Sequence, residues 1–557
     1  MRFASRPVAP GIVTGGSRRP SSRVSSASCR TRICQVVPSR HGDAPAAARA
    51  FGPMASPAAL SATRFPVPDS DDADRIALDA LKRHFGYPGF RPGQDVLVRA
   101  VLQGHDALGI LPTGGGKSVC YQVPAAVLPH ATIVVSPLVS LMADQAMRCR
   151  EADIPAAFLN STLSSQERDQ VEAQLVDGAL RVVFVAPERF ESRSFRQLLP
   201  RLRVSLLAVD EAHCISEWGH DFRPAYLRLD RLRGMFEAPM IALTATATPR
   251  TRREIVTRLR LADPVTVVGG FDRPNLVWGV ERARSWKEKR ERLRALVRNR
   301  PGVTLVYASS RKGVERVRDD LATLGHTTEA YHAGLPAAER ARVQDAFMAG
   351  DAPLVAATNA FGMGVDKSDV RLVIHHELPR TMEAYYQEAG RAGRDGDTAH
   401  CLALWSKGDR AGQMTFIDHS YPPPRAVRRF WRDLRRRAAG QTRLKLPVDE
   451  LRARGGTPLT PSNVGALARA LAACRVVHLR EDPPEQPGDT LHIDLRPHVR
   501  RLPLGRLRER RNAEVAKLAA VERYARTRGC RRARILGYFG DALEKANCGT
   551  CDNCQRV

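Results

Sequence analysis

Pro112-Thr113-Gly114-Gly115-Gly116-Lys117-Ser118 is the stretch that decides the fold. It follows a short apolar run, Ala107 to Leu111, and opens a helix-like stretch from Lys117 to Leu128. Glycines at Gly114, Gly115 and Gly116 let backbone N–H groups wrap phosphate oxygens. A lysine at the helix start reaches the β- and γ-phosphates, and a hydroxyl one residue later holds Mg²⁺. The strict form of such a loop wants a glycine five residues before Gly116, where Leu111 stands, so the loop is of the relaxed Thr-Gly kind. Alone, a Gly-rich turn followed by Lys-Ser is also compatible with a merely structural turn.

Downstream, Leu206-Leu207-Ala208-Val209 reads as a buried strand ending in Asp210-Glu211-Ala212-His213. A carboxylate at a strand's C-terminal edge, in the same sheet as a phosphate loop, is placed to hold Mg²⁺ through water. Glu211 beside it is placed to polarise an attacking water as general base. From about Leu81 onward, short apolar runs alternate with helix-like stretches, which predicts α/β layers on a parallel sheet. A second pattern of this kind begins near Val303, with Leu305-Val306-Tyr307-Ala308-Ser309 as its first strand and turn.

Composition narrows the function classes. Lys and Arg number 87 against 59 acids, a net charge of +28, which suits a polyanionic partner; the alternative is solubility alone. No apolar run reaches the ~18 residues of a membrane span. Most of the 11 cysteines are scattered singly, which argues against a secreted disulfide framework. The exceptions are Cys530, Cys548, Cys551 and Cys554, whose C-x17-C-x2-C-x2-C spacing suits a tetrahedral structural Zn²⁺. Residues 1–68 are rich in Ser, Pro, Ala and Arg, with no acid before Asp43. They read as a disordered basic segment, a transit peptide, or an over-extended start ahead of Met54.

Over roughly residues 78–410 the chain resembles superfamily 2 helicases, and among them the RecQ DNA helicases. Phe85-Gly86-Tyr87 and Phe90-Arg91-Pro92-Gly93-Gln94 are similar to the family's adenine-reading motif. The resemblance implies that Gln94 bonds the adenine edge while Tyr87 and Arg91 stack on its faces. With these, Thr113, Gly114, Gly115, Gly116, Lys117 and Ser118 form the expected nucleotide site. Ser136-Pro137-Leu138 and Ala186-Pro187-Glu188-Arg189 are similar to strand-contacting motifs. Thr244-Ala245-Thr246-Ala247-Thr248 resembles the segment coupling ATP state to strand movement. His213 to Pro224 looks like the aromatic-rich RecQ loop, in which Trp218 and Phe222 suit base stacking and Arg223 suits phosphate or ATP-site coupling. Tyr386-Gln387-Glu388-Ala389-Gly390-Arg391-Ala392-Gly393-Arg394 is close to the family's arginine-finger motif, on a helix-like segment. The expected catalytic set is therefore Lys117, Asp210, Glu211, Gln387, Arg391 and Arg394, with Ser118 and Asp210 on magnesium and the four cysteines on zinc.

The C-terminal third departs from the family. In the usual RecQ order the zinc module follows lobe two closely and a winged helix comes after it. Here about a hundred residues precede the cysteines, and the sequence ends three residues past Cys554, so no downstream winged helix is expected. Within that insert lie a basic helix-like run, Arg425 to Arg437, and a short helix-like stretch, Pro447 to Arg454. Thr460-Pro461 caps a third helix from Asn463 to Ala473, and two strands follow, Val476 to Arg480 and Thr490 to Leu495. This reads as a winged helix placed ahead of the zinc site and expected to contact duplex DNA.

The expected architecture is thus α/β: two tandem RecA-like lobes, a winged-helix-like insert and a small zinc-binding helical module. The boundaries read as 1–68 for the N-terminal segment, 69–272 and 273–420 for the lobes, 421–505 for basic linker and insert, and 506–557 for the zinc module. The expected activity is ATP-dependent, 3′-to-5′ unwinding of DNA, with ATP, Mg²⁺ and Zn²⁺ as cofactors. Single-stranded and forked DNA are the expected partners, with no membrane, in the bacterial cytoplasm at the nucleoid; organelle import is the alternative. A superfamily 2 RNA helicase, a duplex translocase without strand separation, and a binder with a dead nucleotide site are the competing readings.

Overall fold

The computed structural model describes residues 69–112, 114–137, 139–216, 223–299, 302–323, 325, 327–362, 367–451, 459–484, 486, 488–496, 502–543 and 545–556. The N-terminal segment 1–68, Thr113, Trp218 and Phe222 lie outside them.

The first lobe carries seven strands: β1 (Ala107–Ile110), β2 (Ala131–Val135), β3 (Ala156–Leu159), β4 (Val182–Val185), β5 (Val204–Val209), β6 (Met240–Thr244) and β7 (Val265–Val268). They form one parallel sheet in the order β3-β4-β2-β5-β6-β1-β7. β1, β2 and β4 are buried along their whole length, as parallel strands covered on both faces must be. Thr248 starts the helix Pro249–Leu259 directly after β6; its hydroxyl accepts from Thr251 N, and proline takes the first helical position.

The second lobe repeats the scheme. Strands β8 (Leu276–Arg282), β9 (Val303–Tyr307), β10 (Thr328–Tyr331), β11 (Leu354–Ala357), β12 (Val370–His375) and β13 (Ala399–Trp405) form a parallel sheet ordered β10-β11-β9-β12-β13-β8. Inside this lobe the Lys289 ammonium is buried, donating to both Asp409 carboxylate oxygens at 2.7 and 2.9 Å and to the His376 carbonyl at 2.7 Å. The charge is satisfied on all sides, as a buried ammonium requires.

A third, antiparallel sheet lies in the insert: β14 (Arg443–Pro447), β15 (Val477–Leu479) and β16 (Thr490–Leu495), ordered β14-β16-β15. The basic helix runs over Pro424–Ala438, and the capped helix over Pro461–Ala473 with Thr460 accepting from Asn463 N. Pro447 corrects one expectation: it ends a strand and does not start a helix. Arg443-Leu444-Lys445-Leu446-Pro447 alternates exposed and buried, the period of a half-buried edge strand, and only Val448–Glu450 then turn helically. Residues 452–458 of that expected helix lie outside the described ones. Val427, Phe430, Trp431 and Leu434 of the basic helix pack with Leu444, Val464, Leu471 and Ile493 into a core of the insert's own.

The helices Gly505–Arg526 and Arg531–Tyr538 carry the cysteine module, which docks where the lobes join. Asp552 N donates to the Trp278 carbonyl at 3.1 Å, and the Asp552 carboxylate accepts from Val280 N at 3.1 Å, covering edge strand β8. The Phe539 ring stacks on Phe271 at 4.5 Å and tilts against Tyr386 at 5.1 Å. Arg252, on the helix after β6, donates to the Phe539 carbonyl at 2.7 Å, and Arg532 pairs with Asp272. One small module therefore touches lobe one, the connecting segment and lobe two. No helix among the described residues is long and apolar enough to cross a membrane.

Candidate nucleotide and metal sites

The sheet order sets the phosphate loop, the acidic pair and the threonine segment side by side. They leave the C-terminal ends of β1, β5 and β6, and β6 lies between the other two. Ile110 is in register with Thr244, and Val209 with Ala242, so the three exits stand at nearly one level. In open α/β sheets this carboxyl edge is where ligands bind.

Gly114 and Gly116 adopt left-handed backbone, φ 80° and 71°. Among the described residues the N–H groups of Gly116, Lys117 and Ser118 have no hydrogen-bond acceptor. That is the donor set an anion needs at a helix N-terminus, so the loop fits a nucleotide phosphate. Asp210 is buried, and its Oδ1 accepts from Glu211 N at 2.9 Å. Burial pushes the Asp210 carboxyl up to about 6, with Glu211 adding to the shift and Lys117 opposing it. A buried carboxylate facing a lysine and an open phosphate nest is a fitting Mg²⁺ ligand.

Glu211 takes φ 46°, rare for a non-glycine residue. Its Oε2 lies 3.2 Å from His213 Nδ1, and that nitrogen is 2.8 Å from Thr244 Oγ1. His213 thus links the acidic pair to the β6 exit. Thr244 and Thr246 are buried, and the Thr244 hydroxyl serves this internal link, lying 3.3 Å from the Thr246 carbonyl. Arg223 reaches back across the lobe, donating to the Pro137 carbonyl at 2.7 Å.

Gln94 engages the phosphate loop itself. Its amide nitrogen donates to the Gly115 and Gly116 carbonyls at 3.1 and 2.9 Å, and its oxygen accepts from Arg91 N at 2.8 Å. Arg91 in turn donates to the Gly114 carbonyl. The pair therefore tethers three consecutive loop carbonyls. A Cβ at Gly116 would lie 2.4 Å from the Gln94 nitrogen, so this tether also explains the glycine. Tyr87 is 52% exposed, with one face stacked on Phe85, leaving the other open to a flat ligand.

From lobe two, the Arg394 stem comes to 4.0 Å of the position a Cβ would take on Gly114. Arg391 does not face the loop: it is buried within its own lobe and donates to the Gly362 carbonyl. Nor do the two arginines sit on a helix. The helix Met382–Ala389, which carries Gln387, ends at Gly390, and residues 390–396 form turns. Arg273 supplies the reason. Its guanidinium donates to the carbonyls of Gly390, Ala392 and Gly393 at 3.2, 2.9 and 2.8 Å. Asn275 adds bonds to Gly393 and Asp397 at 2.7 and 2.9 Å. Carbonyls taken by these donors do not continue a helical ladder. Gly393, at φ 55°, has Asn275 2.6 Å from where a Cβ would be.

Arg273 and Asn275 were not legible from the sequence. The only signal is a polar Arg-Pro-Asn wedged between Gly269-Gly270 and β8, a pattern equally typical of an exposed turn.

The sulphurs of Cys530, Cys548, Cys551 and Cys554 lie within 4.8 Å of one another, and those of Cys548 and Cys554 are 3.9 Å apart. A tetrahedral Zn–S₄ centre with bonds of about 2.3 Å spaces its sulphurs by about 3.8 Å. Backbone N–H groups of Arg531, Ala533 and Cys551 point at three of the sulphurs at 3.3–3.5 Å, the outer bonds thiolate ligands require. The cluster is a zinc site. By contrast, burial pushes the Cys120, Cys149 and Cys401 thiols up to about 12, so those lone cysteines are chemically inert.

Three family models match the chain. Residues 91–255 match the DEAD/DEAH box helicase, 288–396 the helicase conserved C-terminal domain, and 498–555 the RecQ zinc-binding domain. The chain is 44% identical over 338 residues to the ATP-dependent DNA helicase RecQ of Pasteurella multocida, covering 60% of this chain and 53% of that protein. Its likeness to the protein of the same name from Bacillus subtilis is 42% over 349 residues, 62% of this chain and 58% of that one. The probable ATP-dependent DNA helicase RecS of Bacillus subtilis is 40% identical over 332 residues, 59% and 66% respectively. The matches thus span little more than half the length of the two RecQ relatives. Among solved structures, the DUF1998 helicase MrfA bound to DNA shares the fold, with a TM-score of 0.50 at 19% identity over 78% of this chain and 64% of that one.

Proposed function

The chain belongs to the RecQ family of superfamily 2 helicases, and from that premise we propose that it is an ATP-dependent DNA helicase moving 3′ to 5′ along one strand. Its substrates are tailed or forked duplexes met in repair and recombination, in the bacterial cytoplasm. The direction rests on the family likeness. The observation that carries the ATPase reading is the approach of Arg394 to the Gly114 loop, because it makes one phosphoryl-transfer site out of two lobes.

Lys117 and the loop N–H groups hold the phosphates, and Glu211 orients and deprotonates the attacking water. Ser118 and Asp210 would hold Mg²⁺, which would supply charge neutralisation at the phosphates. Arg394 stabilises the charge on the transferring phosphoryl group from across the cleft. Arg391 and Gln387 support the turn that presents it. Arg273 and Asn275 are positioning residues, holding the 390–397 backbone so that Arg394 projects toward lobe one.

Coupling to the strand follows the Glu211–His213–Thr244 link to β6, then the helix Pro249–Leu259, whose Arg252 grips Phe539 of the zinc module. Closure of the cleft thereby shifts both lobes against a common pivot. Tyr87 and Arg91 receive the adenine ring, and Gln94 exchanges its loop carbonyls for the adenine edge, freeing the loop as nucleotide enters. Trp218, Phe222 and Arg223 serve as the strand-sensing loop.

The test is ATP turnover with single-stranded DNA, with RNA of the same sequence, and with neither, using Lys117→Ala as the inactive reference. DNA raises turnover several-fold and RNA does not. Equal stimulation by RNA would contradict the DNA assignment.

A further inference from the structure

The insert offers DNA a different face from the one its fold suggests. In a winged helix the second helix of the helix-turn-helix enters the major groove. Here the corresponding helix, Pro461–Ala473, is buried at Val464, Gly465, Ala466, Leu467, Ala468, Ala470 and Leu471. It packs against the helices Asp409–Ser420 and Pro424–Ala438, and the Pro484 carbonyl lies 2.9 Å from a Cβ built on Gly465. Little of it is left to read a groove.

The helix Pro424–Ala438 is arranged in the opposite way. It carries seven arginines and one acid, Asp433. Its apolar residues, Phe430 and Trp431 included, all face the insert's core. Arg425, Arg428, Arg429, Arg432 and Arg435 are exposed, and none has an acidic or hydrogen-bond partner among the described residues. Arg436 and Arg437 instead share Asp433. At about 100° per residue the five free arginines fall within an arc of roughly 120°, and at 1.5 Å per residue the row is about 15 Å long. A row of unneutralised guanidinium groups on a rigid helix binds phosphates and carries no sequence information.

We propose that this arginine row is a docking surface for the phosphate backbone of duplex DNA, separate from the cleft that grips the single strand. The inference deepens the proposed helicase function and rests on it. Duplex is the fitting partner because single-strand grips add aromatic stacking to charge, and both aromatic rings of this helix are turned inward. The row holds the unopened duplex while the lobes draw on one strand.

The experiment uses the full chain without nucleotide, a labelled blunt duplex and a labelled single strand, and a salt series. Two variants are compared with the parent: Arg428→Ala/Arg432→Ala/Arg435→Ala, and the same three positions changed to lysine. Each phosphate contact contributes about 0.9 to the slope of log affinity against log salt, so the alanine variant's duplex slope is shallower by about 2.7. Its loss of duplex affinity exceeds its loss for single strand by about tenfold or more at low salt. The lysine variant keeps most of the slope. An unchanged duplex slope in a folded alanine variant overturns the proposal, and so does an equal loss for single strand, which would make the row a general polyanion patch. Absence of DNA-stimulated ATPase in the parent would defeat the helicase reading but leave this binding comparison readable. An unmoved slope beside normal stimulation would defeat the row alone.

Discussion

Arg394→Ala lowers DNA-stimulated ATP turnover by about 10³–10⁵-fold, the range over which an arginine acting across a cleft accelerates phosphoryl transfer. The effect falls on kcat, since in the proposed site Arg394 meets the phosphates from the far lobe while Lys117 and the loop N–H groups hold ATP in the near one. Its neighbour behaves differently. Arg391 is buried against the Gly362 carbonyl, so Arg391→Ala reduces lobe-two stability as well as turnover. Arg273→Ala falls between them. It leaves Arg394 in place but removes three bonds from the backbone that aims it, and misplacement of about 1 Å costs on the order of 10²-fold. Steady-state kinetics with thermal melts of all three variants separate these roles. An Arg394→Ala enzyme within tenfold of the parent would remove this residue from the proposed site.

Loss of zinc has the second largest effect. The purified chain holds about one equivalent of zinc, and Cys551→Ser, or extraction under mild denaturant, destabilises the cysteine module by several kcal/mol of the roughly 10–16 kcal/mol such sites supply. The consequence reaches beyond the module. Phe539 stacks on Phe271 and packs against Tyr386, and its carbonyl holds Arg252, so the pivot between the lobes loosens with the metal. The zinc-free protein therefore melts earlier in the lobes and module, while the insert, with its own core, keeps its transition. Metal analysis with calorimetry checks this. A metal-free chain with the parent's melting profile would contradict it.

What could be read in advance follows physical lines. β1, β2 and β4, and the Leu206–Val209 end of β5, are largely apolar runs buried on both faces, and such runs declare a parallel sheet without help from context. The phosphate loop and the Cys548-x2-Cys551-x2-Cys554 run are local chemistry, with those ligands a few residues apart. What the sequence does not reveal is tertiary. The Gln94 amide suits an adenine edge, but which carbonyls it meets in the loop depends on residues more than 20 positions away. Arg273 acts on backbone some 120 residues downstream, and a guanidinium that finds carbonyls rather than carboxylates leaves no charge pattern to notice. In the insert, Val464-Gly465-Ala466-Leu467-Ala468 marks a helix but not its surroundings. Small apolar residues over most of its length go with burial of most of the helix, which leaves little of it to meet DNA.

Strand separation is the central claim, and duplexes with a 3′ tail, a 5′ tail or no tail test it most directly, with Lys117→Ala as reference. A RecQ-type motor unwinds the 3′-tailed duplex in the presence of ATP, leaves the other two paired, and loses the activity with Lys117. DNA-stimulated ATP turnover without release of a strand from any of the three duplexes would contradict the helicase assignment.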